Sequence, residues 1–127
     1  MDHITGFYHP ESPARMSAVM DNLRNSTVWT SVQKIDPSSA ETEIIQLVHP
    51  ESHVSRVKDI CLSGISPLDG GDTTVCADSY SVALLAAGGI VAGVDGIFSE
   101  EILNAFCVIR PPGHHAELTQ STGFCLF

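Results

Sequence analysis

Residues 78–98, DSYSVALLAAGGIVAGVDGIF, set the tightest limit on what this chain can fold into. Tyr80, Ala83, Leu84, Ala87, Val91 and Val94 recur at helical spacing, which predicts one long helix. Gly88, Gly89 and Gly93 lie inside it, and each costs about 1 kcal/mol relative to alanine in a helix interior. A helix carrying that cost is expected where its backbone comes close to a sheet or a neighbouring helix. The glycines interrupt the apolar stretch from Val82 to Val94, which is too short to span a bilayer, so no membrane partner is expected.

The segment C-terminal to that helix narrows the class. After its first residue, NAFCVI at 104–109 is an uninterrupted apolar run, as expected of a strand covered on both faces in a parallel sheet. Upstream, Ser12 reads as an N-cap with Pro13 at the first helical position, and Met16, Val19, Met20 and Leu23 predict a helix over 13–24. VWTSVQKI predicts a strand near 28–35, closed by a turn at Asp36–Pro37–Ser38–Ser39. SSAETEIIQLVH predicts a short helix, and Pro50 opens another whose Val54, Val57, Ile60 and Cys61 share one side. SGISPLDGGDTT reads as loop. Alternating strands and helices in 127 residues predict a single α/β domain with flanking helices. HPES occurs at 9–12 and again at 49–52, but the flanks differ and both copies sit at helix starts, so no internal repeat is inferred.

Charge and cysteines remove several functions. A formal net charge of -9 repels phosphate backbones and leaves no basic stripe, which argues against nucleic acid as a partner. The same charge attracts a cationic partner such as a lysine side chain or a polyamine, although it also serves plain solubility. Cys61, Cys76, Cys107 and Cys125 lie far apart, without a C-x-x-C pair or histidines at zinc-finger spacing. Buried free thiols in a reducing compartment are expected of them. MDHITGFYHPE lacks the basic start and apolar run of a signal peptide, so a cytoplasmic protein is expected.

In parallel sheets function gathers in loops beyond the carboxyl ends of strands, where RPPGHH falls. Pro111 biases Arg110 toward extended geometry, and Pro112–Gly113 suits the centre of a type II turn with glycine at positive φ. After such a turn an irregular loop can aim His114 and His115 into one cavity. Two imidazoles close together push their pKa values apart, leaving one as base and the other as acid or charge stabiliser. Metal ligation by both, or idle loop histidines, are the alternatives open on local chemistry.

RPPGHHA followed by GFCLF resembles the histone deacetylase and acetylpolyamine amidohydrolase superfamily. HPESPAR, LVHPESHVSRV, GDTTV and SYSVALLAAGG resemble its bacterial and class II branches in the same order, so the resemblance covers nearly the whole chain. It implies an arginase-deacetylase α/β fold and zinc-dependent hydrolysis of an N-acetylated amine, acetyl-lysine or acetylpolyamine, to free amine and acetate. By the same resemblance His115 is the general base and acid, and His114 its electrostatic partner. Gly123 offers its carbonyl to the substrate amide, and Phe124 grips the methylene stem; core packing is the alternative for Phe124. Arg15 matches an arginine of an internal cavity through which acetate leaves, or is a helix-surface arginine. Asp69 or Asp72 falls where the family presents a rim aspartate, though DGGD also explains both as turn residues.

The resemblance further implies that the zinc ligands lie beyond residue 127 and that residues 1–127 are the truncated N-terminal part of one catalytic domain, inactive and poorly stable alone. A non-catalytic module that binds acetylated or cationic ligands on the same fold is the competing expectation.

Overall fold

In the computed structural model, which describes residues 3–64 and 67–127, the helices α1 (Pro13–Arg24), α2 (Thr42–Gln46), α3 (Glu51–Ser63) and α4 (Ser79–Phe98) succeed one another in chain order. Pro13 stands at the first position of α1, where its missing N–H costs nothing. Gly64 closes α3 in the left-handed region at φ 71°, a conformation that suits a residue without Cβ. Within the expected loop after α3, Ile65 and Ser66 lie outside the described residues; Asp69–Gly71 form a short 3-10 turn.

The glycines of α4 act as the sequence demands. A Cβ on Gly88 would fall 1.9 Å from the Ser38 carbonyl oxygen and 2.8 Å from the Ala40 nitrogen. That approach lets the Ala40 N–H donate to the Leu84 carbonyl at 2.9 Å. On Gly89 a Cβ would meet Ile109 at 3.2 Å, and on Gly93 it would meet Ala105 at 3.1 Å and Cys107 at 3.5 Å. Residues 105, 107 and 109 thus turn toward one helix, the two-residue period of an extended chain. At 20 residues α4, unlike the shorter Val82–Val94 stretch, is long and apolar enough by length and composition to cross a membrane, a test that core helices also pass. Its glycine face is occupied by protein.

Two expected strands do not form. No strand is assigned among the described residues, and 104–109 runs along α4 with no ladder partner. Nor is it covered on both faces, since Phe106 is 75% exposed. The 28–35 segment instead starts with a 3-10 turn at Thr27–Thr30. Local bonds win there: the Ser31 and Val32 N–H groups donate to the Val28 carbonyl at 2.9 and 3.2 Å. Lys34 Nζ donates to the Trp29 carbonyl at 2.9 Å and lies 4.6 Å from the centre of its ring. The β-branched residues find no neighbouring strand to pack against, and propensity alone cannot make one. The turn expected at 36–39 is replaced by the close passage of Ser38–Ala40 over Gly88.

One buried cluster joins Val57 and Cys61 of α3 to Leu68, Val75, Ala83 and Leu126. A second joins Ala40, Ile45 and Val54. Tyr80 and Phe127 pack against both, ring centroids 5.9 Å apart and edge to face. Seating Leu126 and Phe127 in the core fixes the end of the segment that carries the histidines. The cysteines are thiols, Cys61 and Cys125 buried, Cys76 and Cys107 only half-buried. Burial pushes the Cys61 thiol up to about 11, so it is inert.

Candidate functional site

The site is built on residues 110–126, held from below, from the side and from α3. Below, Arg110 is buried against Glu11, which is 1% exposed. Arg110 Nε donates to Glu11 Oε1 at 3.0 Å and Nη2 to Oε2 at 2.7 Å, a two-point fork, while Nη1 donates to the His3 carbonyl at 2.5 Å. His3 Nε2 lies 3.4 Å from Glu11 Oε2, and its Nδ1 lies 2.7 Å from Ser79 Oγ at the start of α4. Burial first, and then the Arg110 charge, lower the His3 pKa to about 4, so its ring is neutral at pH 7.

Above Arg110 the backbone differs from the expected turn. Gly113 is not in the left-handed region, and the Arg110–Pro111 peptide is cis. Gly113 is required by space instead, because a Cβ there would lie 2.8 Å from the Phe127 carbonyl oxygen. The chain then turns back, with the Ala116 N–H donating to the Gly113 carbonyl at 3.2 Å. His114 and His115 come together as expected, with ring centroids 4.4 Å apart and planes at 59°. Both are exposed, whereas rings aimed into one cavity were expected.

Gly123 joins them, with Phe124 next to it in the chain. Gly123 has φ 58°, and a Cβ there would meet Cβ and Cγ of His115 at 2.8 Å, so only glycine lets the two segments touch. The His115 N–H donates to Cys125 Sγ at 3.4 Å, a second tie between them. Phe124 also adopts a left-handed backbone, φ 69°, and its ring stands edge-on to His9, centroids 4.8 Å apart. It is half-buried at the edge, outside both core clusters.

The side wall comes from residues whose roles sequence reasoning leaves open or misses. Asp72 accepts the Gly123 N–H at 3.0 Å, and Asp69 accepts the Ser121 N–H at 2.9 Å. Arg56 of α3 forks onto Asp69 at 2.6 and 2.9 Å and donates to the Thr119 carbonyl at 3.1 Å. Burial pushes the Asp69 carboxyl up, but Arg56 and the Ser121 N–H outweigh it and hold the group below the usual carboxylate range. Arg56 also donates to His53 Nδ1 at 2.9 Å, leaving His53 Nε2–H to donate to the Leu126 carbonyl at 3.2 Å. That neutral tautomer fits the lowered His53 pKa, which burial causes first of all. His49 Nδ1 lies 3.1 Å from the Leu118 carbonyl. No local signal in DGGD or LVHPESHVSRV distinguishes these roles from turn and helix residues.

Arg15 is 64% exposed on α1 and 3.6 Å from Glu11, the helix-surface position. It nonetheless lines a cavity of about 170 Å³ together with Glu11, Met16, Phe106 and Arg110. No group of three or more His, Cys, Asp or Glu side chains able to hold a metal ion occurs among the described residues.

The chain is similar to known proteins over most of its length. The family model described as "Histone deacetylase domain" matches residues 9–127. Histone deacetylase 5 of Arabidopsis thaliana is 35% identical over 94% of this chain and 19% of its own length. The histone deacetylase-like amidohydrolase of Pseudomonas aeruginosa is 34% identical over 94% of this chain and 31% of its own length. The solved crystal structure of the HDA15 HD domain superposes with a TM-score of 0.86 at 33% identity, covering 93% of this chain and 33% of that one. The chain therefore spans a third or less of the length of these proteins.

Proposed function

Because the chain belongs to the histone deacetylase family, we propose that it contributes the tandem-histidine wall of an amidohydrolase that releases acetate from an N-acetylated amine, acetyl-lysine or acetylpolyamine. The observation that carries this reading is the convergence of His114, His115 and Gly123, with Gly123 forced to be glycine by its contact with His115. His115 takes a proton from the attacking water and returns it to the leaving amine, and His114 balances the charge at a ring distance of 4.4 Å. The Gly123 carbonyl accepts the substrate N–H, Phe124 lies along the methylene stem, and Arg15 meets acetate in the cavity beside Arg110. The net charge of -9 favours approach of the cationic product class over anionic ligands. In the same reading the extended 104–109 segment, which has no ladder partner here, joins the parallel sheet of an arginase-deacetylase fold in the full-length protein.

Zinc belongs to this proposal at the level of the family. The described residues do not assemble a donor set for it, so no step is routed through the ion. A second reading, a non-catalytic module for acetylated or cationic ligands, is favoured by the exposure of both histidine rings.

Hydrolysis of an acetyl-lysine peptide by the full-length protein separates the two. His115→Ala is expected to lower kcat by about a hundredfold or more, the contribution of a positioned proton carrier. An unchanged rate overturns the role of His115. Binding without turnover in the wild type supports the module, and loss of bound metal in either histidine variant would make the rings ligands.

A further inference from the structure

We propose that Glu11 is a positioning residue for the tandem histidines, acting through its buried fork onto Arg110. The inference rests on the reading of His115 as the proton carrier and extends it to a carboxylate in a different part of the sequence.

Arg110 is the residue on which RPPGHH is mounted. Between it and His114 stand two prolines, whose rings fix φ, and Gly113, which is pressed against the Phe127 carbonyl. Such a segment has little slack, so the placement of Arg110 is passed to the histidines. Every nitrogen of the Arg110 guanidinium is engaged: Nε and Nη2 by the two oxygens of Glu11, Nη1 by the His3 carbonyl. A two-point fork fixes rotation as well as distance, which a single bond or a methyl contact cannot do.

Glu11 is itself immobilised. Its carbonyl accepts the Thr5 hydroxyl at 2.5 Å, and its N–H donates to His9 Nδ1 at 3.1 Å. His9 in turn packs edge-on against Phe124. One residue thus links both walls of the site, the histidine segment through its carboxylate and the Phe124 segment through its backbone. A buried ion pair returns little net stability against its desolvation, and a pair of matched apolar side chains often serves as well. What the fork adds over an apolar pair is direction.

That difference is measurable in the full-length protein. The test compares the wild type with Glu11→Gln, with Arg110→Lys, and with the apolar double variant Glu11→Leu plus Arg110→Met. Three readings are taken: kcat and KM on an acetyl-lysine peptide, thermal unfolding, and NMR titration of the His114 and His115 rings, which needs no turnover. A positioning role predicts kcat reduced by about tenfold or more, the scale of a sub-ångström to ångström misplacement of a reacting group, with KM changed much less. It also predicts shifted histidine titrations in all three proteins, including the apolar double variant whose melting temperature is at or above that of the wild type. If the apolar double variant is stable and has wild-type kcat and titrations, Glu11 only fills space and the proposal falls. Should either single variant fail to fold, the double variant carries the same decision. A wild type without deacetylase activity removes the function reading alone; the titrations then decide, a shift supporting the proposal and identical curves overturning it.

Discussion

Two arginine–carboxylate forks hold the same segment, and they differ mainly in how much water reaches them. Glu11–Arg110 is 1% and 4% exposed; Arg56–Asp69 is 22% exposed at the carboxylate and 36% at the arginine. Their distances are nearly equal, from 2.6 to 3.0 Å. Burial makes the first a fixed mount, because removing either partner leaves a buried charge that water cannot readily solvate. Exposure makes the second adjustable, since water can take over from either partner.

The largest expected effect separates them directly. Arg110→Ala leaves Glu11 with the neutral His3 ring at 3.4 Å and the solvent-exposed Arg15 at 3.6 Å, and is expected to cost about 3–5 kcal/mol of unfolding free energy. Arg56→Ala is expected to cost about 1 kcal/mol, because Asp69 keeps the Ser121 N–H and gains water. Urea unfolding of both variants measures the gap. Equal losses would mean that exposure does not distinguish the two forks.

The forks also explain how far the sequence could be read. The helices were legible because their signals are local: Pro13 at a helix start, the apolar side of 54–61, and the glycines of α4, whose cost required a close neighbour. The histidine pair was legible through RPPGHHA and GFCLF together, which also singled out Gly123, though not its contact with His115. The supports were not. Glu11 and Arg110 are 99 residues apart, Asp72 and Gly123 51, and His3 and Ser79 76, with nothing periodic to pair them. VWTSVQKI misleads because β-branched content measures fit to a sheet surface, and here Lys34 and Trp29 close the segment on itself. The two HPES copies look like chance in the sequence, yet each places its histidine against the site segment, His9 on Phe124 and His49 at the Leu118 carbonyl.

A smaller effect appears on the pH axis. His3 is lowered from an ordinary 6.5 to about 4, so the unfolded chain takes its proton first as pH falls. Stability from the buried mount is therefore complete above pH 6.5 and declines between 6.5 and about 4. His53, also lowered, adds a decline of the same sign on the rim side. Asp69 acts at lower pH: its stabilisation is complete well above the ordinary carboxylate value of 3.8 and is lost as pH falls from there toward its depressed value. His3→Gln is expected to flatten the unfolding free energy between pH 6.5 and 4. A slope equal to that of the wild type would show that His3 is not titrating against the fold.

Salt gives the smallest and cleanest separation of the two forks. At about 0.15 M salt charges are screened over about 8 Å, and at about 1 M over about 3 Å, but only where ions can enter between or around them. Arg56–Asp69 is open to that screening, whereas Glu11–Arg110, at 1% and 4% exposure, is largely shielded from it. The coupling energy of Arg56→Gln with Asp69→Asn, taken from a double-mutant cycle in urea, should fall by a few tenths of a kcal/mol between about 0.05 M and 1 M salt. The coupling of Glu11→Gln with Arg110→Gln should not move. Parallel losses in both cycles would place salt at the buried fork, and a mount that salt can loosen could not hold His114 and His115 more firmly than the rim does.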